Sequence, residues 1–496
     1  MSTTGFKHKK IAIIGAGFGG IGMAVRLAQQ GETDFILLEQ AAGVGGTWWV
    51  NRYPGCACDV PSHLYSFSFE ANPSWSRRFA PRQEIQAYLE HCISRYQLKD
   101  RLKLNFGVAQ MRWNEASQHW QITSQDGQSM TADIVISAIG GLSRPAWTAI
   151  PGLDQFSGQI IHSQHWDEGI KLDGQRVAVI GTGASAVQLV PEIAAQVERL
   201  DVYQRTPNWI LPRPDRPIRT RLQTLYRRIP MLQKLIRLSI WLKAECRVPG
   251  LVWSNKLAWG HRQLAQWHLR RQVSDPRMRS ALSPNYSIGC KRVLLSSSYY
   301  PALMRTNVEL INTPISRIEA DAVIDENGQR RIIDSLILAT GFQATAPVPE
   351  GMIIGRDGSD LHQIWSQGPQ AYRGTSVAGF PNFFMLLGPN TALGHNSVIV
   401  MIEAQIAHTL KALDYMRKNN HAVIEVQPTQ QRQFNQRLQK KLVGSVWNEG
   451  GCGSWYLHPK SGLNTTLWPG FSWRYRNLMN QFEPDHFNFS SKTTNK

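Results

Sequence analysis

A chain of 496 residues can bury a large core and divide into two or three domains of roughly 100 to 200 residues each. No stretch reaches the roughly 18 apolar residues of a membrane span and the first ten residues lack a signal-like apolar run, so a soluble cytoplasmic protein is expected. The net charge of +18 is local: between Arg213 and Arg279 sixteen Lys or Arg face only Asp215, Glu245 and Asp275, so no general nucleic-acid surface, and no nucleic-acid partner, is expected.

The first element in chain order is IAIIGAGFGGIGMAVRLAQQG. Ile11 to Ile14 reads as a buried strand and Ile21 to Gln30 as a helix, with GAGFGG between them. Gly15 permits the tight turn, Gly17 lets backbone approach a pyrophosphate, and Gly20 allows close helix packing, while the helix N-terminus offers amides and partial positive charge. A second strand, FILLE, ends in Glu39, where a ribose-binding acid belongs, 24 positions after Gly15. The six cysteines (Cys56, Cys58, Cys92, Cys246, Cys290, Cys452) contain no CxxC pair, no zinc spacing and no disulfide framework; they are expected to be reduced and structural, with no metal site.

The stretch FSGQIIHSQHWD (156 to 167) precedes a second copy of the glycine pattern. Read alone, His162 is a packed or surface histidine and Trp166 a core residue. The second copy is RVAVIGTGASAVQLVPEIA, with a strand over Val177 to Ile180 and a helix from about Ala186. Its turn contributes Thr182, Gly183, Ala184, Ser185 and Ala186, the last an allowed replacement for the third glycine. Counting 24 positions from Gly181 reaches Arg205, beside Thr206. A guanidinium cannot accept two ribose hydroxyls as a carboxylate does, but it suits a 2′-phosphate. One unit closing on Glu and one on Arg imply FAD in the first and NADPH in the second, a pairing that reduces a flavin.

The basic segment 213–279 follows. Leu222, Leu225, Ile229, Leu232, Leu235 and Ile236 fall near helical spacing, with Trp241, Trp253, Trp259 and Trp267 beyond. Such a helix can lie on an anionic membrane as a weak peripheral contact. The plainer reading, which we adopt as the expectation, is a helical insert packed on the body with a basic outer face.

The stretch 156–167 matches FxGxxxHxxxW followed by Pro or Asp through Phe156, Gly158, His162, Trp166 and Asp167. This resembles the fingerprint of type I Baeyer–Villiger monooxygenases, within the class B flavoprotein monooxygenases; the related flavin-containing monooxygenases usually have Phe or Tyr in place of the Trp. In that family these residues resemble elements that couple the domains and the bound NADP more than groups that do bond chemistry. GGTWWVNRYPGCACD resembles the flavin-contacting segment, with Gly46, Thr47 and Trp48 near the cofactor together with Phe18 of the first turn; Tyr65 falls at another flavin-contacting position and Val108 near the adenine. ATGF (339 to 342) resembles the domain-crossing motif, and 380–390 and 454–470 resemble C-terminal flavin-domain segments. Lys291 and Arg292 in GCKRVLLSSSYY resemble the NADP-phosphate lysine and the active-site arginine, and Asp59 the aspartate that positions that arginine in contact with the cofactor site. Gly141 departs from the family's usual glutamine.

The resemblance implies an α/β fold with two Rossmann-like dinucleotide-binding domains and a helical insert: FAD-binding over 1–145 and 376–496, NADP-binding over 150–210 and 286–345, and the insert over 211–285. It implies conversion of ketones to esters or lactones by way of a C4a-peroxyflavin, with a small-molecule ketone or thioether and O2 as partners. Three readings compete. A flavin-containing monooxygenase would oxidise sulfides or amines, as the rival or as a second activity. A disulfide reductase would use Cys56 and Cys58, but a CxC closes only a tiny strained loop. A membrane-surface binding protein would use 213–279.

Overall fold

In a computed structural model the structure describes residues 8–343 and 348–491. The apolar run Lys9–Ile14 is the centre of an eight-stranded sheet, parallel to Phe35–Leu38 on one side and Ser129–Ser137 on the other. Ile11 lies opposite Phe35 and Ile134, so branched side chains fill both faces, as a sheet covered on both sides requires. Val108–Asn114 and His119–Ser124 continue it antiparallel beyond Ser129–Ser137. Two strands join from far along the chain, Ile353–Ile354 beside Met111 and Arg112, and Phe383–Met385 beside Val135 to Ser137.

The second sheet has five strands, all parallel, in the order Val308–Ile311, Arg199–Tyr203, Arg176–Ile180, Ser335–Leu338 and Gln159–His162. In each sheet a strand runs straight into a glycine turn and a helix: Phe18–Gln29 after the first, Ala184–Ile193 after the second. The α/β architecture with two Rossmann-like units is the one expected. The chain crosses between the sheets twice, through segments that bond to each other. Ala146 N donates to Gly341 O at 2.9 Å, Gln343 N to Arg144 O at 3.0 Å, and Thr340 Oγ1 to Ala146 O at 2.6 Å. This joins the ATGF stretch to the other crossing, in keeping with its resemblance. Residues 344 and 345, the last two in the range expected for the NADP-binding unit to end, lie outside the described residues.

The insert is helical, with Thr220–Arg228, Pro230–Glu245, Trp259–Gln272 and Pro276–Ala281. Its outer face carries the exposed Arg221, Arg227, Arg228, Lys234 and Lys243 and, between them, an apolar row. The 230–245 helix turns polar groups inward, where Gln233 donates to Asn72 O (2.7 Å), Arg237 to the carbonyls of His63 and Ser66 (both 2.9 Å), and Trp241 to Ser472 Oγ (2.9 Å). Its outward row is apolar: Met231, Leu235, Leu238 and Leu242. The inner face meets the carbonyls of His63, Ser66 and Asn72, which lie outside any helix or strand, and such carbonyls need donors more than they need leucines. No helix among the described residues is long and apolar enough to cross a membrane.

Candidate active site

The first glycine turn is built without slack. Gly15 has φ +101°, and a Cβ there would stand 2.7 Å from Ala138 O; a Cβ at Gly20 would stand 1.8 Å from Gly15 O. Helix and turn can therefore approach only without those side chains. Gly17 is the N-cap of the helix, with no side chain capping it, and Gly46 (φ +54°) packs against it. Glu39 is buried and closes the turn from the neighbouring strand: its carboxylate accepts Ala16 N at 2.7 Å and Ala41 N at 2.9 Å. Burial pushes its carboxyl up against the pull of those amides. Phe106 N bonds Glu39 O at 2.8 Å and so brings buried Val108 to the same edge. Thr47 and Trp48 open the short helix Thr47–Val50; Trp48 Nε1 donates to Tyr65 OH at 3.2 Å, and the Phe18 and Tyr65 rings meet edge to face at 5.0 Å. The structure thus gathers the residues expected on the flavin side around one uncapped helix N-terminus, a donor set that fits a pyrophosphate and ribose.

The second turn repeats the plan with more room. Gly181 has φ +108° and its Cβ would meet Ala339 O at 2.6 Å, whereas Gly183, the N-cap of the 184–193 helix, has nothing within 4 Å. Ala186 is fully buried, Thr182 Oγ1 donates to Thr206 O at 3.4 Å, and Asn208 Nδ2 donates to Thr182 O at 2.8 Å. Ala184 is exposed and Ser185 half-buried on the first helical turn. Arg205, Thr206 and Lys291 line a cavity of about 520 Å³ whose walls contain no acid. Burial pulls the Lys291 ammonium down, and Arg205 beside it pulls the same way. Two adjacent cations without a counter-carboxylate fit a phosphate dianion. Sequence reasoning did not find the rest of the wall. It comes from Ser280, Ser283 and Asn285 near the end of the insert, and from residues 451–453 of the C-terminal region.

Residues 156–167 contain the edge strand Gln159–His162 of the second sheet, and only the end of that strand makes a seam with the crossing segment. Gly158 lets Phe156 lie over it, where a Cβ would meet Asp334 O at 2.4 Å and the Phe156 ring at 2.6 Å. His162 ends its strand; its Nδ1 accepts Gln164 N at 3.2 Å, and Gln164 Nε2 donates to Ser143 O at 2.9 Å in the crossing segment. Burial, helped by His165, pulls the His162 imidazole down to about 4, so it is neutral near pH 7. Trp166 is buried, and Asp167 accepts Gly169 N at 2.8 Å in a turn. The flavin-side segment reaches across as well. Tyr53 OH donates to Gln188 Oε1 (3.0 Å), and Gln188 Nε2 donates to Ala57 O (2.9 Å), pinning 53–57 onto the second unit's helix.

That pinned segment carries Asp59 to Arg292, 233 residues away. The pair is bidentate: Nε donates to Oδ2 at 2.6 Å and Nη2 to Oδ1 at 2.8 Å, and both side chains are about one-third exposed, at 35% and 30%. Burial pushes the Asp59 carboxyl up, but Arg292 outweighs it and holds the carboxyl below its usual range; the Asp59 charge in turn holds Arg292 above the ordinary arginine value. Further groups converge here that the sequence did not single out. Arg213 Nη2 donates to Cys58 O (3.3 Å), Arg247 Nη1 to His395 O (3.4 Å), and Tyr456, beside Arg292, has its phenol pushed up to about 12 by burial. A local signal for them was absent, because each becomes a neighbour only through the fold.

The cysteines need a correction. Cys290 and Cys452 form a disulfide across 162 residues, which ties the turn before Lys291 and Arg292 to the loop lining the cavity. Two cysteines that far apart carry no spacing signal, so the pairing is invisible in the sequence. Cys56, Cys58, Cys92 and Cys246 are free thiols. Burial pushes the Cys56 thiol up to about 11 and raises Cys58 as well, so neither offers the thiolate that a dithiol reductase needs.

Two dinucleotide-type units meeting at a fixed arginine define a nucleotide-dependent oxidoreductase. A family model described as pyridine nucleotide-disulphide oxidoreductase matches residues 12–234. A Baeyer–Villiger monooxygenase of Pseudomonas aeruginosa is 50% identical over 98% of this chain and 92% of its own length. Among solved structures, cyclohexanone monooxygenase from Rhodococcus sp. Phi1 bound to NADP+ superposes with TM-score 0.88 at 28% identity, covering 98% of this chain and 99% of that one. The OTEMO complex with FAD and NADP superposes with TM-score 0.87 at 26% identity, covering 99% and 100%. The chain belongs to the Baeyer–Villiger monooxygenase family.

Proposed function

We propose a division of labour among this chain's residues for the family's reaction. The protein is an NADPH- and FAD-dependent oxidoreductase that inserts one atom of O2 beside a ketone carbonyl to give an ester or lactone. Bound NADPH supplies hydride, and bound FAD accepts it and activates oxygen; the protein holds, orients and shields. We assign FAD binding to 1–145 and 376–496, NADP binding to 150–210 and 286–345, and the insert to 211–285. Gly15, Gly17, Phe18, Gly20, Glu39, Gly46, Thr47, Trp48, Asp59, Tyr65 and Val108 serve the flavin. Thr182, Gly183, Ala184, Ser185, Ala186, Arg205, Thr206 and Lys291 serve NADP. Phe156, Gly158, His162, Trp166 and Asp167 keep the two units in register.

Arg292 and Asp59 are the catalytic pair, and the bidentate contact is the observation that carries this. A guanidinium clamped through Nε and Nη2 cannot swing away; one Nη1 hydrogen reaches Leu393 O at 3.5 Å, and the second hydrogens of Nη1 and Nη2 stay available to an oxyanion developing at the attacked carbonyl. Such preorganised donors are worth about 10² to 10³ in rate. Arginine stays charged at working pH, so it cannot act as a base. Arg205 and Lys291 select the 2′-phosphate and keep the coenzyme in place, which also excludes water from the reacting centre.

The substrate is a small-molecule ketone, and oxidation of a thioether is a second activity of the same site. The test is to supply a cyclic ketone, a linear methyl ketone and a thioether with NADPH and labelled O2, and to identify products at several pH values. One labelled oxygen in an ester or lactone, with a larger share of ester at higher pH, is expected; sulfoxide alone from every mixture would leave the flavin-containing monooxygenase reading. Peripheral contact with a membrane through 213–279 is a separate proposal that rests on the insert.

A further inference from the structure

The 230–245 helix is amphipathic in the reverse of the usual sense. A helix on a globular protein normally buries its apolar stripe. Here Gln233, Arg237 and Glu245 face inward and are bonded to the body, and Glu245 accepts from Ser472 N (2.9 Å), Ser472 Oγ (2.7 Å) and Asn396 Nδ2 (2.6 Å). Met231, Leu235, Leu238 and Leu242 stand outward at 61%, 54%, 47% and 50% exposure, at spacings of four, three and four residues. That makes one straight row about 16 Å long. Leu222 and Leu225 of the adjoining 220–228 helix, and Ile229 where the two helices join, are exposed as well. A contiguous apolar row of this size on a protein surface marks something that covers it.

The charges around the row identify the cover. Arg221, Arg227, Arg228, Lys234 and Lys243 are exposed on the same two helices, and none of them is in an ion pair among the described residues. All three acids of the segment are occupied elsewhere: Asp215 pairs with Arg77 at 2.8 Å, Glu245 is buried, and Asp275 caps the 276–281 helix. The face is therefore apolar along its ridge and cationic along its flanks. A second copy of the chain would set cations against cations. An anionic bilayer answers both features, since acyl chains take the ridge and headgroups take long basic side chains that keep their charge in water.

An aromatic cluster ends the row. Trp241 and Glu245 tie the helix end to Ser472, next to Phe471; Trp253 meets Phe471 edge to face at 5.7 Å, Trp473 stacks on it at 5.8 Å, and Arg474 lies over both Phe471 and Trp473. Trp253 and Trp473 are exposed, and indole rings with an apolar body and one N–H favour the headgroup level.

We propose that the 220–245 helical pair, with Trp253 and Trp473 at its end, docks the protein onto the surface of an anionic phospholipid bilayer without spanning it. The test floats the FAD-loaded full chain with phosphatidylglycerol-containing vesicles and with phosphatidylcholine vesicles at low salt. Flotation with the anionic vesicles is expected, weakening as salt rises. Replacing Leu235, Leu238 and Leu242 together by Gln should cut it about tenfold or more, with FAD content and ketone oxidation in solution retained. The pair Lys234→Gln and Lys243→Gln alters no hydrogen bond seen among the described residues, and so reports independently if the leucine variant fails to fold; it should weaken flotation and flatten its salt dependence. Absence of flotation with anionic vesicles, or flotation indifferent to either set of changes, rejects the proposal. A wild-type dimer that the leucine changes split into monomers, without vesicle binding, also rejects it and makes the row a contact between copies.

Discussion

The two glycine turns share one plan and differ in how closely they are filled. In the first, a Cβ at Gly15 or Gly20 would run into a backbone oxygen, and Glu39 is buried with both carboxylate oxygens on amides. In the second, an alanine replaces the third glycine, Gly183 stands in open space, and exposed Arg205 sits at the wall of a cavity. The first suits a cofactor kept through many turnovers, the second a coenzyme that must enter and leave. One ancestral geometry can serve both because the distinction lies in a few side chains and not in the strand–turn–helix itself.

The largest test of that contrast is Gly20→Val. With a Cβ position 1.8 Å from a backbone oxygen, the substitution should cost more than about 3 kcal/mol and abolish FAD retention, read by flavin absorbance and thermal unfolding. A stable, yellow variant would mean that the first turn is not close-packed. Next comes Arg205→Ala, expected to raise KM for NADPH by about tenfold to a hundredfold, as loss of a charge-assisted phosphate contact does, while FAD content and the KM for NADH hardly change. Equal losses with both coenzymes would remove the phosphate assignment.

At the seam, His162 is held neutral by burial, with its pKa at about 4. The unfolded chain takes up a proton near pH 6.5, so the contribution of this group to stability is complete above that pH and is lost as pH falls toward 4, by about 2–3 kcal/mol. His162→Asn, which keeps an acceptor for Gln164 N, should flatten the stability profile in that window; an unchanged slope would assign the acid sensitivity to His63 or His408, which burial also depresses. The smallest effect is expected for Gly183→Ala, with melting temperature nearly unchanged and KM for NADPH raised severalfold, because the space beside Gly183 is then the ligand's and not the protein's. An unaffected KM would place the coenzyme elsewhere.

What the sequence revealed follows from the range of each interaction. The glycine turns, Glu39 and Arg205 are legible because a strand, a turn, a helix and the next strand end lie within about thirty residues of each other. Asp59 and Arg292 meet across 233 residues and are legible only through resemblance to a family, since neither residue differs locally from a surface cap or a surface arginine. The Cys290–Cys452 bridge has no such signal at all. The insert shows a subtler limit: periodicity reveals that a stripe exists but not which way it faces. Here the direction is set by the carbonyls of His63, Ser66 and Asn72, and backbone atoms leave no mark in a hydropathy pattern.

The claim that Asp59 and Arg292 perform oxygen insertion, and not flavin reduction, is tested most directly by Arg292→Ala. NADPH consumption, ester and hydrogen peroxide would be measured together with a ketone that the wild type converts. Arg292→Ala should oxidise NADPH at a comparable rate, form ester about 10² to 10³ more slowly, and release peroxide to match the NADPH consumed. Ester formation near the wild-type level with little peroxide would contradict the claim.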